Sequence, residues 1–271
     1  MLSRPSLLLT TISVLVVLLL AAYIANIVSP KPSTDDSVVV VGEEVFLPLP
    51  EKTTTITVEE AILLRRSIRD YTNNPVTIKQ LSMILWAAQG ITNVEHRFRA
   101  APSAGATYPL EIYVVVGEKG VILEDNTYLK PGVYKYNVYK HSLVLVKEGD
   151  YREELSKAAL NQRWVHEAPV DIVVCAVYER TTSRYGERGI RYVHMEAGHV
   201  GQNIYLMATA LGLGTVAVGA FYDDQVARII GAKPEEHPLY IMPLGAPAKP
   251  PKTSFEEINN FYKTARQQQN K

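Results

Sequence analysis

Arg65-Arg66-Ser67-Ile68-Arg69 is the stretch on which the reading of this chain turns. It follows Thr57 to Leu64, which reads as a short helix. Thr57 can cap that helix, and Glu60, three residues on, can reach back to complete a capping box. Three guanidiniums and a hydroxyl then fall within five positions. Like charges this close repel one another unless an anion sits among them. Arg suits a phosphate, because its planar fork holds two oxygens at once. A solvated basic helix end, drawn to the negative pole of the helix, accounts for the same residues.

Downstream, Thr77 opens a second helix with Gln80 placed for another capping box. Leu81, Ile84, Leu85 and Ala88 recur at helical spacing, and Gly90 stands at its end. Residues 91 to 110 read as a loop that contains Arg97, Arg99 and Ala101-Pro102-Ser103-Ala104-Gly105-Ala106-Thr107-Tyr108-Pro109. Its small side chains leave backbone amides open to a ligand edge, and they suit an ordinary surface loop equally well. Glu111 to Gly117 alternates Ile112, Val114 and Val116 with Tyr113 and Val115, so both faces are apolar and the strand is central. Val133 to Val138 and Leu143 to Val146 fit a strand pair. Its tyrosines either line a pocket or serve simply as good strand formers. Asp150 is expected to cap a helix through Leu155, Ala158 and Ala159 that can extend to Trp164. Val170 to Val177 reads as a buried strand carrying the single cysteine, Cys175, as an inert thiol. Glu179 to Gly189 reads as a charged loop. Arg191 to Leu211 is the longest helical stretch and is apolar nearly all round, as a buried helix is. Gly198 and Gly201 within it make sense if another helix packs closely, and a homodimer would supply one. Thr215 to Val218, a helix from Asp223 to Gly231, a strand over Leu239 to Leu244 and a terminal helix opened by Ser254 and Glu257 complete the domain.

Length and composition bound the rest. The chain has 271 residues, 47% hydrophobic and 21% charged, enough for one substantial core with appendages. Its formal net charge is zero, which gives no support to nucleic-acid binding. One cysteine permits no intramolecular disulfide. His194 and His199 are five apart, the His-Glu-x-x-His pattern is absent, and no metal-spaced set occurs. Gly212-Leu213-Gly214 lacks the remaining residues of either nucleotide fingerprint, and no Gly-x-Ser-x-Gly elbow exists. Leu7 through Val28 carries no charged side chain. About 20 apolar residues span a bilayer, so residues 1–28 are expected to hold an uncleaved transmembrane anchor. A cleaved signal peptide is the rival. The expected domains are this anchor, a linker over 29–53, a folded domain over 54–250 and a tail helix over 251–271. The folded part is expected outside the cytoplasm.

Four stretches, taken in order, resemble the nitroreductase superfamily of flavin enzymes, and within it the SagB-type dehydrogenases related to thiazole/oxazole-forming peptide oxidases. They are Arg65-Arg66-Ser67-Ile68-Arg69, then Ala101-Pro102-Ser103-Ala104-Gly105 through Glu111. After these come Gln202-Asn203 running into Leu211-Gly212-Leu213-Gly214 and Val218-Gly219-Ala220-Phe221, and last Pro243-Leu244-Gly245-Ala246-Pro247. The resemblance implies an α+β fold with a mostly antiparallel central sheet flanked by helices. It implies a homodimer with FMN at the interface and an FMN-dependent oxidoreductase working by hydride transfer through flavin N5. NAD(P)H, a quinone or a peptide-derived ring would be the electron partner. Carried over by position, Arg65, Arg66, Ser67 and Arg69 would hold the phosphate, with Lys249 or Lys252 as helper. Pro102, Ser103, Ala104 and Gly105 would contact the flavin of the other subunit. Asn161 or Gln162 would reach the pyrimidine edge, and the backbone at Val218, Gly219 and Ala220 would face N5. Many nitroreductases have Glu near N5, where this chain has Gly219. Azole-forming members use a Lys-Tyr pair, whose place Arg184-Tyr185 would take. Two other readings compete: a flavin-binding module without robust turnover, and a membrane-tethered scaffold without cofactor.

Overall fold

The computed structural model describes residues 40–41 and 44–268. In chain order the strands are β1 (Val40–Val41), β2 (Glu44–Phe46), β3 (Val76–Thr77), β4 (Leu110–Val116), β5 (Val121–Ile122), β6 (Gly132–Asn137), β7 (Ser142–Glu148), β8 (Val170–Ala176), β9 (Gly214–Thr215) and β10 (His237–Gly245). The helices are α1 (Val58–Leu64), α2 (Ile78–Gln89), α3 (Arg152–Ala158), α4 (Arg163–Glu167), α5 (Glu179–Tyr185), α6 (Arg188–Ala210), α7 (Asp223–Ile230) and α8 (Phe255–Gln268).

Eight strands form one sheet in the order β1-β2-β7-β6-β4-β8-β10-β9, every neighbouring pair antiparallel. β3 and β5 make a separate parallel pair. Strand alternation sorts the core into two layers. Leu110, Ile112, Val114 and Val116 of β4 pack with α2 and α6 through Ile84, Leu85, Val193, Val200 and Ile204. Tyr113 and Val115 face the other way, toward Leu155, Val165, Val226 and Ile230 of α3, α4 and α7. β4 is central, between β6 and β8, as its two apolar faces require.

Both capping boxes close. The Thr57 hydroxyl accepts from the Glu60 amide at 3.2 Å, and the Thr57 amide donates to Glu60 Oε2 at 2.8 Å. Thr77 and Gln80 do the same at 3.1 and 2.9 Å. The segment read as linker holds an apolar patch, Val38 to Val41, open to adding an edge strand or packing on the domain; Val40–Val41 forms edge strand β1, and β2 follows it into the sheet with Val45 and Leu47 buried. Elsewhere the structure departs from the sequence expectations. The N-cap of α3 is Tyr151, with no side-chain cap; Asp150, one residue earlier, accepts the Arg152 amide at 3.2 Å. Its carboxylate also grips the Arg152 guanidinium and accepts the Glu118 amide. The helix from there does not run to Trp164, because Leu160 and Asn161 adopt φ of 59° and 57° and break it into α3 and α4. The expected charged loop after β8 is helix α5.

α6 is buried along one stripe only. Ile190 and Met195 are 44% and 47% exposed. Within this chain neither Gly198 nor Gly201 meets another helix: a Cβ at Gly198 would touch nothing within 4 Å, and one at Gly201 would reach Tyr240 and Met242 of β10 at 3.7 and 3.9 Å. The expected membrane placement is also corrected. Among the described residues no helix is long and apolar enough to cross a membrane. The stretch 7–28 on which that expectation rested lies outside the described residues.

Candidate functional site

Arg65 ends α1 as its C-cap, and the chain then runs beside β9. Ser67 pairs with Thr215 in a parallel bridge, and the Ile68 amide donates to the Thr215 carbonyl at 2.9 Å. Gly214 allows that approach, since a Cβ there would sit 2.5 Å from Ile68 Cγ1. The guanidinium carbon of Arg65 lies 5.2 Å from the ring centre of Tyr205 near the end of α6. The Ser67 hydroxyl is 3.0 Å from the Tyr205 hydroxyl, which also accepts the Ala217 amide at 2.8 Å. Arg69 lies over Trp164 of α4 at 5.4 Å. Among the described residues neither Arg65 nor Arg69 is ion-paired with a carboxylate. Such stacking fixes a guanidinium while leaving its fork free. Two forks and two hydroxyls in this arrangement can hold an oxyanion.

The other expected residues divide into groups. Arg66 turns away: Nη1 donates to the Leu63 and Arg65 carbonyls at 2.9 and 2.8 Å, and Nη2 donates to Thr253 Oγ1 at 3.0 Å. The tail passes alongside, with the Thr72 amide donating to the Ala246 carbonyl and the Ala248 amide to that of Asp70, both at 2.9 Å. This sets exposed Lys249 next to the arginine strand and carries the chain on to exposed Lys252. Gln162 Nε2 donates to the Ala220 carbonyl at 3.0 Å, so the α3–α4 break and the Val218–Ala220 backbone are joined. Asn161 is exposed, and its amide donates to the Ser156 carbonyl. Val218 is anchored in both directions to Ile241, whereas Gly219 and Ala220 are exposed. A Cβ at Gly219 would meet only Tyr240, at 4.0 Å, so this stretch of backbone is bare.

Pro102, Ser103, Ala104 and Gly105 lie elsewhere. Ser103 Oγ accepts the Tyr108 amide at 2.9 Å and interacts with Glu196 of α6. Gly105, with φ of 61°, accepts from Arg184 Nη1 at 3.1 Å, and Tyr185 crowds the same glycine. Arg184 and Tyr185 thus belong to the Pro-Ser loop of their own chain. Glu196 and Tyr205 are about 14 Å apart along α6 at 1.5 Å per residue, and half a turn apart around it. The Pro-Ser loop and the arginine cluster are therefore braced by opposite flanks of α6.

Tyr205 and Trp164 were not singled out in the sequence, because an aromatic at a helical position reads as core. Glu196 was also missed. It is 2% exposed, its Oε1 has no hydrogen-bond partner, and burial pushes its carboxyl up to about 7 against the pull of Ser103, Gln89 and Arg99. A lone Glu on the apolar stripe of α6 was the available signal.

Comparison with known proteins agrees with this architecture. The model of the nitroreductase family matches residues 62–246. A nitroreductase-family protein of Methanocaldococcus jannaschii is 48% identical over 204 residues, covering 75% of this chain and 98% of that one. The NADPH-flavin oxidoreductase of Vibrio harveyi is 24% identical over 200 residues, covering 71% of this chain and 66% of that one. A solved nitroreductase-like structure from Ralstonia eutropha superposes with a TM-score of 0.65 at 26% identity, covering 82% of this chain and 98% of that one. The chain belongs to the nitroreductase family.

Proposed function

We propose that the chain is an FMN-dependent oxidoreductase of the SagB-type branch, working as a homodimer. The observation that carries this reading is the pair Arg65 and Arg69, each stacked on an aromatic ring and unpaired with any carboxylate among the described residues. Kinship with an NADPH-flavin oxidoreductase supports it. Arg65, Ser67 and Arg69 hold the phosphate, with Lys249 or Lys252 assisting from the tail. Arg66 spends its donors on the end of α1 and contributes through the backbone it braces. Bound flavin supplies hydride exchange at N5, a chemistry that belongs to the cofactor.

The chain's own part is orientation. Gln162 and Asn161 serve the pyrimidine edge, and bare Gly219 lets the Val218–Ala220 backbone approach the ring. Pro102 to Gly105 of a partner chain covers the other side and excludes water. Arg184 stays protonated and donates to the Gly105 carbonyl, so it positions Tyr185 and the loop and takes no proton. Either NAD(P)H is the hydride donor and a quinone or nitro compound the acceptor, or a small or peptide-derived substrate is itself oxidised and gives its hydride to the flavin.

Titrating the purified chain with FMN tests the assignment. A yellow one-to-one complex is expected, weakened about tenfold or more by Arg65→Ala or Arg69→Ala, the worth of one charge-assisted hydrogen bond. Arg66→Ala should change affinity far less. Absence of any bound yellow species overturns the proposal. A second reading, a flavin-binding module without robust turnover, is favoured by Gly219, which offers no acid or base. NADH-dependent quinone reduction by the loaded protein, well above that of free FMN, removes it.

A further inference from the structure

A cleft opens inside the main sheet, with β8 and β10 between it and β9. The ladder between β4 and β6 ends where Tyr113 faces Lys135. Both strands run on. β4 stays paired with β8 as far as Leu110 opposite Ala176, and β6 stays paired with β7 as far as Asn137 opposite Ser142. Held by their outer neighbours, the two strands part. The wedge between them has a volume of about 390 Å³, within the range of small-molecule sites. Its walls are largely apolar, from Leu110, Ile112, Val138, Val144 and Val146, and the last two are 36% and 38% exposed.

Arg99 lines the same cleft. Its Nη1 donates to Gln89 Oε1 at 2.9 Å, and its guanidinium carbon stands 4.6 Å from the ring centre of Tyr108 and 5.8 Å from that of Tyr139. Its Nε is buried and has no hydrogen-bond partner. Arg97 reaches the same Tyr139 ring at 5.8 Å, so two cations share one aromatic at this end. Lys135 and Glu111, both on the wall, are paired with each other, Lys135 also with Glu236 and Glu111 also with Arg180, so neither charge is left over. Among the described residues no carboxylate forms an ion pair with Arg97 or Arg99; the buried Glu196 carboxyl, whose charge burial opposes, acts on Arg99 only through its field. A buried donor without an acceptor is unfavourable, and a concave, mostly apolar cleft with a few polar groups is the usual form of a small-molecule site. One kind of ligand answers both. A guanidinium fork matches the two oxygens of a planar carboxylate, and the parted strands accept a hydrocarbon body.

We propose that this cleft binds a small organic carboxylate, with the acid group on Arg99 beside Arg97 and an apolar or aromatic body between β4 and β6 against Val144 and Val146. The site is independent of the flavin assignment. Isothermal titration calorimetry of the full chain with 3-phenylpropanoate, and with the uncharged 3-phenylpropan-1-ol as control, tests it. Saturable one-to-one binding of the acid is expected, about tenfold or more tighter than the alcohol, the worth of one charge-assisted hydrogen bond. Arg99→Gln should make the acid bind no better than the alcohol. Val144→Trp, which fills the cleft from an exposed strand position, should weaken both ligands about tenfold. If Arg99→Gln fails to fold, as judged by circular dichroism, Arg97→Gln and Val144→Trp carry the test. No saturable acid binding at millimolar concentration, equal affinity for acid and alcohol, or an unchanged isotherm in Val144→Trp overturns the proposal.

Discussion

Glu196 ties the stability of the domain to pH, and Glu196→Gln should remove that tie. The carboxyl sits on the buried stripe of α6, 2% exposed, with one oxygen unpaired. Burial penalises its charged form more than Ser103, Gln89 and Arg99 favour it, and lifts it from 4.5 to about 7. The sign follows from linkage. Below about 4.5 the group is protonated in both folded and unfolded chains and has no effect. Between 4.5 and 7 the unfolded chain releases the proton while the folded one keeps it, so folding loses ground as pH rises. Above 7 both forms are ionised and the full penalty stands. At about 1.4 kcal/mol per pH unit the loss is roughly 3 kcal/mol, a large part of the 5–15 kcal/mol or so that holds a typical domain together. Glutamine has the same shape and no charge to desolvate. Urea denaturation of both proteins at pH 4.5, 6 and 8 should give similar stabilities at the lowest pH. At pH 8 the variant should be ahead by roughly 3 kcal/mol. Charges elsewhere are common to the two proteins and cancel in the difference. Two stability curves that run parallel across this range would refute the reasoning.

Three further outcomes follow from the arginine half-site and the core beside it. Tyr205→Phe takes away the hydroxyl that accepts the Ala217 amide and meets Ser67; it should lower stability by about 1 kcal/mol, read as the urea midpoint, and weaken FMN in the same titration. Gly214→Ala forces a methyl to within 2.5 Å of Ile68 Cγ1; an overpacking cost of about 1–3 kcal/mol and a displaced Arg65–Arg69 strand should appear together as a lower thermal midpoint and poorer flavin retention. Asp171 is fully buried on β8 with neither oxygen paired, and burial holds its carboxyl well above the usual range despite nearby Arg152. Asp171→Asn should therefore stabilise the domain at neutral pH and not at low pH, measured by denaturation at both.

What could be read in advance was what the chain decides locally. The Thr57–Glu60 and Thr77–Gln80 boxes need four consecutive residues each, and both close. The central position of β4 follows from a two-residue period with apolar side chains on both faces. The α3–α4 break was hidden, because no glycine or proline marks it. Leu160 and Asn161 hold left-handed backbone through bonds from Asn161 and Gln162 back to Ser156 and Ala159. Helix α5 was hidden for another reason. Its contacts are polar: Arg180 donates to the Tyr108 carbonyl and Arg184 to that of Gly105, so no apolar period announces it. At the site, the arginines announced themselves by clustering. Their supports did not, since Tyr205 meets Ser67 across 138 residues, a distance no local pattern spans.

The placement of α6 explains why both kinds of signal were needed. One flank of this helix braces the Pro-Ser loop through Glu196, and the opposite flank, nearer its C-terminal end, braces the arginines through Tyr205. A rigid helix cannot bring its own opposite flanks together, so on the proposed reading, in which the flavin needs both, one would come from a second copy. A twofold arrangement meets that need twice over, because an isologous contact that donates one loop also receives one. The face of α6 left bare in a single chain, with Ile190, Met195 and Gly198 open to solvent, is the surface such a contact would use. A Gly198→Trp chain that stays folded but loses both self-association and FMN would support that coupling. One that remains monomeric yet keeps full FMN affinity would show that a single chain suffices.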